Sequence, residues 1–241
     1  MICYHNVMVD VTHAFSAQHH FDNEKFNEGK KLITDGMDKT INDMKNGKFD
    51  DAREALGEIL HTLQDFYSHS NWIELKNTKP YSELIDPNKK LTNLAEKSEE
   101  TCVELCRKGS CGAEFRKDLK VLTSGYFELL PVNKPKGKCS HGGISDSTTG
   151  LGKSWDGINK DYKESNNGHG VLHNTASNLA TDATVQLLEN IWKKTDNSKF
   201  LRLVGLHEEE PAGAWRTSLH FILLTSRYPD ANKPDEMGTM E

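Results

Sequence analysis

The chain has 241 residues, of which 35% are apolar and 27% charged, with a mean hydropathy of −0.69 and a formal net charge of −6. That length suits one domain, or one domain with an appendage, and nine Phe, six Tyr and four Trp are too many for a disordered chain. With 30 basic against 36 acidic side chains there is no cationic excess to release counterions from duplex nucleic acid, and no apolar run approaches the ~18 residues of a membrane span.

No element is predicted before residue 24, and residues 1–11 lack the basic start and apolar stretch of a secretory signal. Over 24–46, Phe26, Ile33, Met37, Ile41 and Met44 recur at about 3.6 residues, predicting an amphipathic helix with Asp22 or Asn23 as its cap and Gly47 as its stop. A second helix is expected over 50–71, with Ala52, Leu56, Ile59, Leu60, Leu63 and Tyr67 on one stripe. The Lys79-Pro80 and Asp86-Pro87 steps make 77–90 a loop. Shorter helices are predicted over 94–107 and 113–124. The stretch 131–170, with two Pro and eight Gly, is an irregular connection long enough to suggest function or tethering. The longest predicted helix, 172–194, holds Leu172, Ala176, Leu179, Ala183, Leu187 and Ile191 in phase, and a short one follows over 199–206. No alternating strand pattern and no repeat stands out. The expected fold is therefore all-α, a multi-helix bundle with long irregular loops. It occupies 1–207, and 208–241, which opens with three Glu and a Pro, reads as a poorly anchored tail.

Cys102, Cys106, Cys111 and Cys139 are too clustered for scattered buried thiols, whereas Cys3 stands apart. Three readings stay open: two disulfides in an oxidising compartment, a zinc site of four thiolates without the usual two-residue gap, or reduced thiols. Disulfides without a signal peptide lead to the expectation that the chain lacks its native amino terminus.

The sharpest local signal lies in the second helix. His61, Asp65 and His69 recur at i, i+4 and i+8, which at 100° per residue puts them at about 0°, 40° and 80°, on one strip. The strip opposes the greasiest face. Either it is an exposed polar face, or the helix is packed on both sides and the strip lines a metal cleft, because imidazole and carboxylate one turn apart can reach one zinc ion at ~2.0–2.2 Å. His169 and His173 repeat the spacing at the start of the long helix. His20 and His141 occupy suggestive positions, and His13, His19, His207 and His220 receive no role. Glu58, near the same strip, is a supporting residue or a solvated one. No nucleophile elbow, phosphate loop or dinucleotide fingerprint occurs.

The string His-Thr-Leu-Gln-Asp-Phe-Tyr-Ser-His-Ser-Asn-Trp (61–72) resembles the amino-terminal module of the von Willebrand factor A domain-containing protein 7 family and the fungal heterokaryon-incompatibility protein Het-C. So do His-Phe-Asp-Asn-Glu (20–24), Gly-Tyr-Phe (125–127), Gly-Lys-Cys-Ser-His-Gly-Gly (137–143), Gly-Ile-Asn-Lys-Asp (157–161) and His173 with the Ala-rich helix after it. The resemblance covers about 21–206. More distantly, His-x3-Asp on an all-helical chain is similar to the zinc-dependent phospholipase C and single-strand nuclease superfamily, in which a bundle holds three zinc ions that bind phosphate and activate water. That likeness implies His20, His61 and Asp65 as ligands, Asp65 as a bridge between ions, and His69 and His173 on a neighbouring ion.

The departures argue against three ions. The next His follows Asp65 by four residues rather than six, Ser177 stands where the superfamily has Glu, and the chain begins Met1-Ile2-Cys3 with no terminal Trp. One or two zinc ions on His20, His61, Asp65, His69 and His173 fit better. No metal motif of a von Willebrand factor A domain follows Leu206, so the expectation is a truncated or alternatively ended form of a larger family member. The resemblance implies an extracellular module that normally precedes such a domain, and the incomplete ligand set with the disulfide-like cysteines makes a non-catalytic one the expectation. The alternative is a zinc-dependent phosphoester hydrolase in which Asp65, or Glu58, moves the proton. The partner would be an extracellular protein or a phosphoester ligand.

Overall fold

The periodicities resolve into five helices in the computed structural model, which describes residues 1–107, 110–127, 134–142, 157–163 and 169–206, the side chains of 104–107 and 110–113 excepted. Helix α1 (Ile2–Thr12) is followed by α2 (Phe26–Lys45) and α3 (Phe49–His69). Late in the chain come α4 (His173–Lys193) and α5 (Asn197–Leu203), the latter capped by Asp196, whose carboxylate accepts the Lys199 backbone N–H at 2.9 Å.

Helix α3 is central, with α1, α2 and α4 packed around it. Its apolar stripe of Leu56, Ile59, Leu60 and Leu63 meets Ile33, Met37, Ile41 and Met44 of α2 and Leu179, Ala183 and Leu187 of α4 in one core. Contact with α2 is close at Gly36, where a Cβ would lie 2.1 Å from Ile59 Cγ2. At the lower end of α3, Phe66 sits within an aromatic nest of Phe21, Phe26, Tyr67, Trp72 and Tyr81, at centroid distances of 5.0–6.1 Å. Among the described residues no helix is long and apolar enough to cross a membrane.

Three expectations need correction. Helix α1 was not predicted, because its apolar residues encircle it: Val9 is buried while Tyr4, Val7 and Val11 are more than 60% exposed. It is held by docking on α3, where Asn6 Nδ2 donates to Gln64 Oε1 at 3.1 Å. The helices expected over 94–107 and 113–124 are not formed. In their place stands an antiparallel hairpin of β1 (Cys102–Arg107) and β2 (Ser110–Phe115), so the mostly helical fold carries a small sheet. Long-range pairing decides this region: Cys102 forms a disulfide with Cys139, and Thr101 and Cys102 both donate backbone N–H groups to the Gly137 carbonyl. Asp22 and Asn23 do not cap α2, which begins after Lys25 without a side-chain cap. The expected tail, 208–241, lies outside the described residues.

The irregular segments are clamped by buried lysines. Lys30 donates to the carbonyls of Glu83 and Asp86, each at 2.6 Å, and to that of Lys89. Lys138 joins the Glu24 carboxylate and the Glu96 carbonyl, both at 2.7 Å. Lys160 donates to the carbonyls of Ser68, Ser70 and Ile158 at 2.9–3.1 Å, closing the C-terminal end of α3, and pairs with Glu74 at 3.2 Å. Each ammonium gathers carbonyls from irregular chain or from element ends, where backbone partners are few. The disulfide adds a covalent tie across a sequence separation of 37. Replacing both Cys102 and Cys139 with Ser is expected to lower unfolding stability by about 2–4 kcal/mol, through the unfolded chain freed from the crosslink. An unchanged urea midpoint would refute that contribution.

Candidate metal centre

The strip of His61, Asp65 and His69 becomes a site only because other stretches of chain close over it. His61 and His69 are buried, which excludes an exposed polar face. The first closing stretch is 20–24. Phe21, Asn23 and Glu24 hold φ values of 54°, 55° and 58°, left-handed conformations that cost a non-glycine residue roughly 1–2 kcal/mol each. Tertiary contacts hold them there. The Phe21 ring is fully buried in the aromatic nest. The Asn23 N–H donates to the Gly125 carbonyl at 2.8 Å, and its Oδ1 accepts the Phe127 N–H at 3.1 Å. The Glu24 carboxylate accepts from Lys138, Thr123 and Tyr126. This path delivers His20 and Asp22 to α3.

The second and third stretches are those of His141 and Asp161. They pack so closely that a Cβ at Gly157 would lie 1.9 Å from the His141 carbonyl oxygen. Only glycine there lets 157–161 pass against His141 and bring Asp161 to the cluster.

The distances are short. His20 Nδ1 lies 2.8 Å from Asp65 Oδ2, and His61 Nε2 lies 3.0 Å from the same oxygen and 3.3 Å from His20 Nδ1. Asp10 Oδ1, on α1, is 3.4 Å from His61 Nε2. On the other side of Asp65, His69 Nε2 is 3.2 Å from Asp161 Oδ1 and His141 Nδ1 is 2.9 Å from Asp22 Oδ1. Two groups, Asp10/His20/His61 and Asp22/His69/His141, each bring their ligand atoms within 4.8 Å of one another. Both border a cleft of about 590 Å³ whose far wall is α4, with Ala176, Ser177 and Ala180.

Electrostatics bind the cluster together. Burial alone would raise the Asp65 carboxyl, but the His69 charge and hydrogen bonds from His20 and His61 outweigh it and hold it at about 2. Asp161, similarly buried, is kept well below the usual carboxylate range by His69 and His141 and by the Ser68 hydroxyl. His69 moves oppositely: burial would lower it, yet Asp161, Asp65 and Asp22 raise it well above its ordinary value. Burial also works against His61, which Asp65 nevertheless raises. Protons on these imidazoles thus balance the carboxylates, and a cation would compete with them for the same donors.

Of the expected ligands, His20, His61, Asp65 and His69 converge. His173 reaches the cleft wall, with its Nδ1–H donating to the Lys160 carbonyl at 2.6 Å. Its partner in spacing, His169, turns away to Glu74 at 3.0 Å. Glu58 lines a separate recess beside His19 and Thr62, away from the cluster. Residue reasoning passed over Asp10, Asp22 and Asp161 as ligands, and left His141 without a role. Asp22, His141 and Asp161 all lie within the quoted strings 20–24, 137–143 and 157–161, so a signal was present; for Asp10 there was none.

Among known proteins, the family described as the VWA7 N-terminal domain matches residues 1–201. The von Willebrand factor A domain-containing protein 7 of Homo sapiens is 36% identical over 208 residues, covering 86% of this chain and 22% of that protein; those of Mus musculus and Rattus norvegicus give the same figures. The chain therefore spans about a fifth of the length of these relatives. No solved structure matches it. With most of its length matched by one family, this chain belongs to the VWA7 N-terminal domain family.

Proposed function

We propose that this domain is a zinc-binding, non-catalytic extracellular module that precedes a von Willebrand factor A domain. One observation carries the metal reading. His20 Nδ1, His61 Nε2 and Asp65 Oδ2 form a buried triangle with edges of 2.8, 3.0 and 3.3 Å, and Asp10 Oδ1 stands 3.4 Å from the second of them. Ligands at ~2.0–2.2 Å around a tetrahedral zinc are about 3.3 Å apart, so these atoms would need to open by about half an ångström at most to form such a shell. His20 is also oriented from behind: a carbonyl can only accept, so its Nε2–H donates to the His13 carbonyl at 3.2 Å, and a cation at Nδ1 would displace the proton that Nδ1 shares with Asp65 Oδ2. Imidazole with carboxylate favours zinc over calcium or magnesium, which prefer oxygen alone. When bound, the ion would tie α1, the 20–24 segment and α3 together.

The extracellular reading rests on thiol chemistry. Beyond the Cys102–Cys139 bond, Cys106 and Cys111 are directly opposed across the hairpin, and disulfides persist in oxidising compartments. Position ahead of a von Willebrand factor A domain follows from the family and from the relatives' names.

Elemental analysis of protein purified without chelator tests the reading. At least one zinc per chain is expected, and His61→Ala and Asp65→Ala should lose it and melt at lower temperature, since binding to the folded state stabilises by mass action. Metal-free wild type, with variants of unchanged stability, would reject it. Hydrolysis of p-nitrophenyl phosphorylcholine that disappears in Asp65→Ala would reject the non-catalytic part alone.

A further inference from the structure

Apolar residues lie on both sides of α1. The inner side rests on α3: Val9 is buried, and the chain passes so close to Gly57 that a Cβ there would lie 2.5 Å from the Ile2 carbonyl oxygen and 3.0 Å from the Asn6 nitrogen. At 100° per residue, Tyr4, Val7 and Val11 fall within an arc of about 60° on the opposite side, and each is more than 60% exposed. Their spacing, i, i+3 and i+7, is that of a seam that receives another helix. Phe15, just past the helix, adds to the exposed apolar surface. Single exposed apolar residues are ordinary, whereas a row of them along one helix marks an interaction surface.

The chain beyond Leu206 supplies a matching partner. Trp215, Leu219, Ile222 and Leu223 recur at i, i+4, i+7 and i+8, and no Pro or Gly interrupts 214–228. A helix over 215–224 would be about 15 Å long, close to the length of α1 with its 11 residues. So short a helix is marginal in water by itself and needs an apolar surface on which to form. The exit of the chain places it near one. Arg53 donates to the carbonyls of Arg202 and Leu203 at 2.7 and 3.0 Å, and Gly57, one turn along the same face of α3, lies under Ile2 and Asn6. The end of α5 and the start of α1 are therefore neighbours on α3. Residues 207–214 connect Leu206 to Trp215 and can span up to about 26 Å. A linker that short makes the encounter intramolecular, at an effective concentration on the order of millimolar, which favours this segment over a second copy of the chain.

We propose that residues 215–224 form a short helix that docks on the outer row of α1, with Trp215, Leu219, Ile222 and Leu223 packed against Tyr4, Val7 and Val11. Helix α1 then lies between this segment and α3 rather than at the edge of the bundle. The segment expected as a poorly anchored tail is held in place by the one helix that periodicity did not reveal. The inference is independent of any metal in the cleft.

The test is amide hydrogen exchange of the full chain, followed by mass spectrometry on peptides from 1–15 and 215–224. In wild type, 215–224 should exchange at least about 10-fold more slowly than an unstructured peptide of the same sequence. Val7→Asp should abolish that protection. Leu219→Asp combined with Ile222→Asp should abolish it too and speed exchange over 4–11, and adding Val7→Asp to that pair should change nothing further. Unprotected exchange of 215–224 in wild type overturns the proposal, as does protection that survives Val7→Asp. Protection that grows with protein concentration, together with a doubled mass on gel filtration, assigns the row to a second copy and likewise overturns it. The wild-type measurement involves no variant, and Val7 is exposed, so its replacement spares the core.

Discussion

Replacing Lys160 with methionine is expected to lower unfolding stability by about 3–5 kcal/mol, because it removes the ammonium paired with the buried Glu74 carboxylate and frees three carbonyls. Lys160 is 1% exposed and donates to Ser68, Ser70 and Ile158 while pairing with Glu74, whose other oxygen, Oε2, is already buried without a hydrogen-bond partner. The pH dependence should change with it. Burial would raise Glu74, but Lys160 and His169 hold it below its ordinary value of 4.5. A depressed carboxylate contributes stability that is present above its unfolded value and lost as pH falls through its folded value. Wild type should therefore lose this contribution in acid below about pH 4.5. The methionine variant should instead recover some stability on acidification, as the buried Glu74, left with His169 as its one remaining partner of opposite charge among the described residues, takes up a proton. Urea unfolding of both proteins from pH 3 to pH 7 measures the difference; parallel curves of equal midpoint would show that the clamp carries no weight.

Phe66→Ala should cost about 3–5 kcal/mol, the range for emptying a large aromatic site that cannot collapse. Phe66 is fully buried, and five aromatic rings surround it. One of them, Phe21, belongs to the left-handed stretch that carries His20 and Asp22. Its ring is one of the contacts that hold that stretch in place, so the cavity should also loosen both donor groups. Zinc affinity should fall although no ligand has been touched. Calorimetric titration on the folded variant checks this, and an affinity equal to wild type would separate the aromatic nest from the site.

Much of the bundle was legible. Phe26 to Met44 and Leu172 to Ile191 repeat at the helical period, so α2 and α4 match their expected limits to within about two residues at each end. The irregular reading of 131–170 also stands for its described parts, which carry one isolated bridge at Ser140 and a short 3-10 turn from Gly170, and no helix or sheet strand. The helix expected over 94–107 failed because short apolar runs do not distinguish helix from strand, and contacts with residues 137 and 139 decide the outcome. Helix α1 failed for the opposite reason: its buried side carries no apolar stripe, and its place on α3 is set by contacts that only the fold supplies, Asn6 with Gln64 and the close pass of residues 2–6 over Gly57.

The site divides along the same line. His61, Asp65 and His69 share a face for any chain that is helical there, since i, i+4 spacing is a local property. By itself the sequence determined that strip, the helices that pack around it and the composition of the loops. Only the tertiary structure decided that the strip is buried, that Asp10, Asp22, His141 and Asp161 complete it, and that His169 does not. The reason is physical: a helix repeats its geometry every turn, whereas the approach of 20–24, 141 and 157–161 depends on left-handed residues, a glycine contact and buried ammonium clamps, all of which exist only once distant parts of the chain have met.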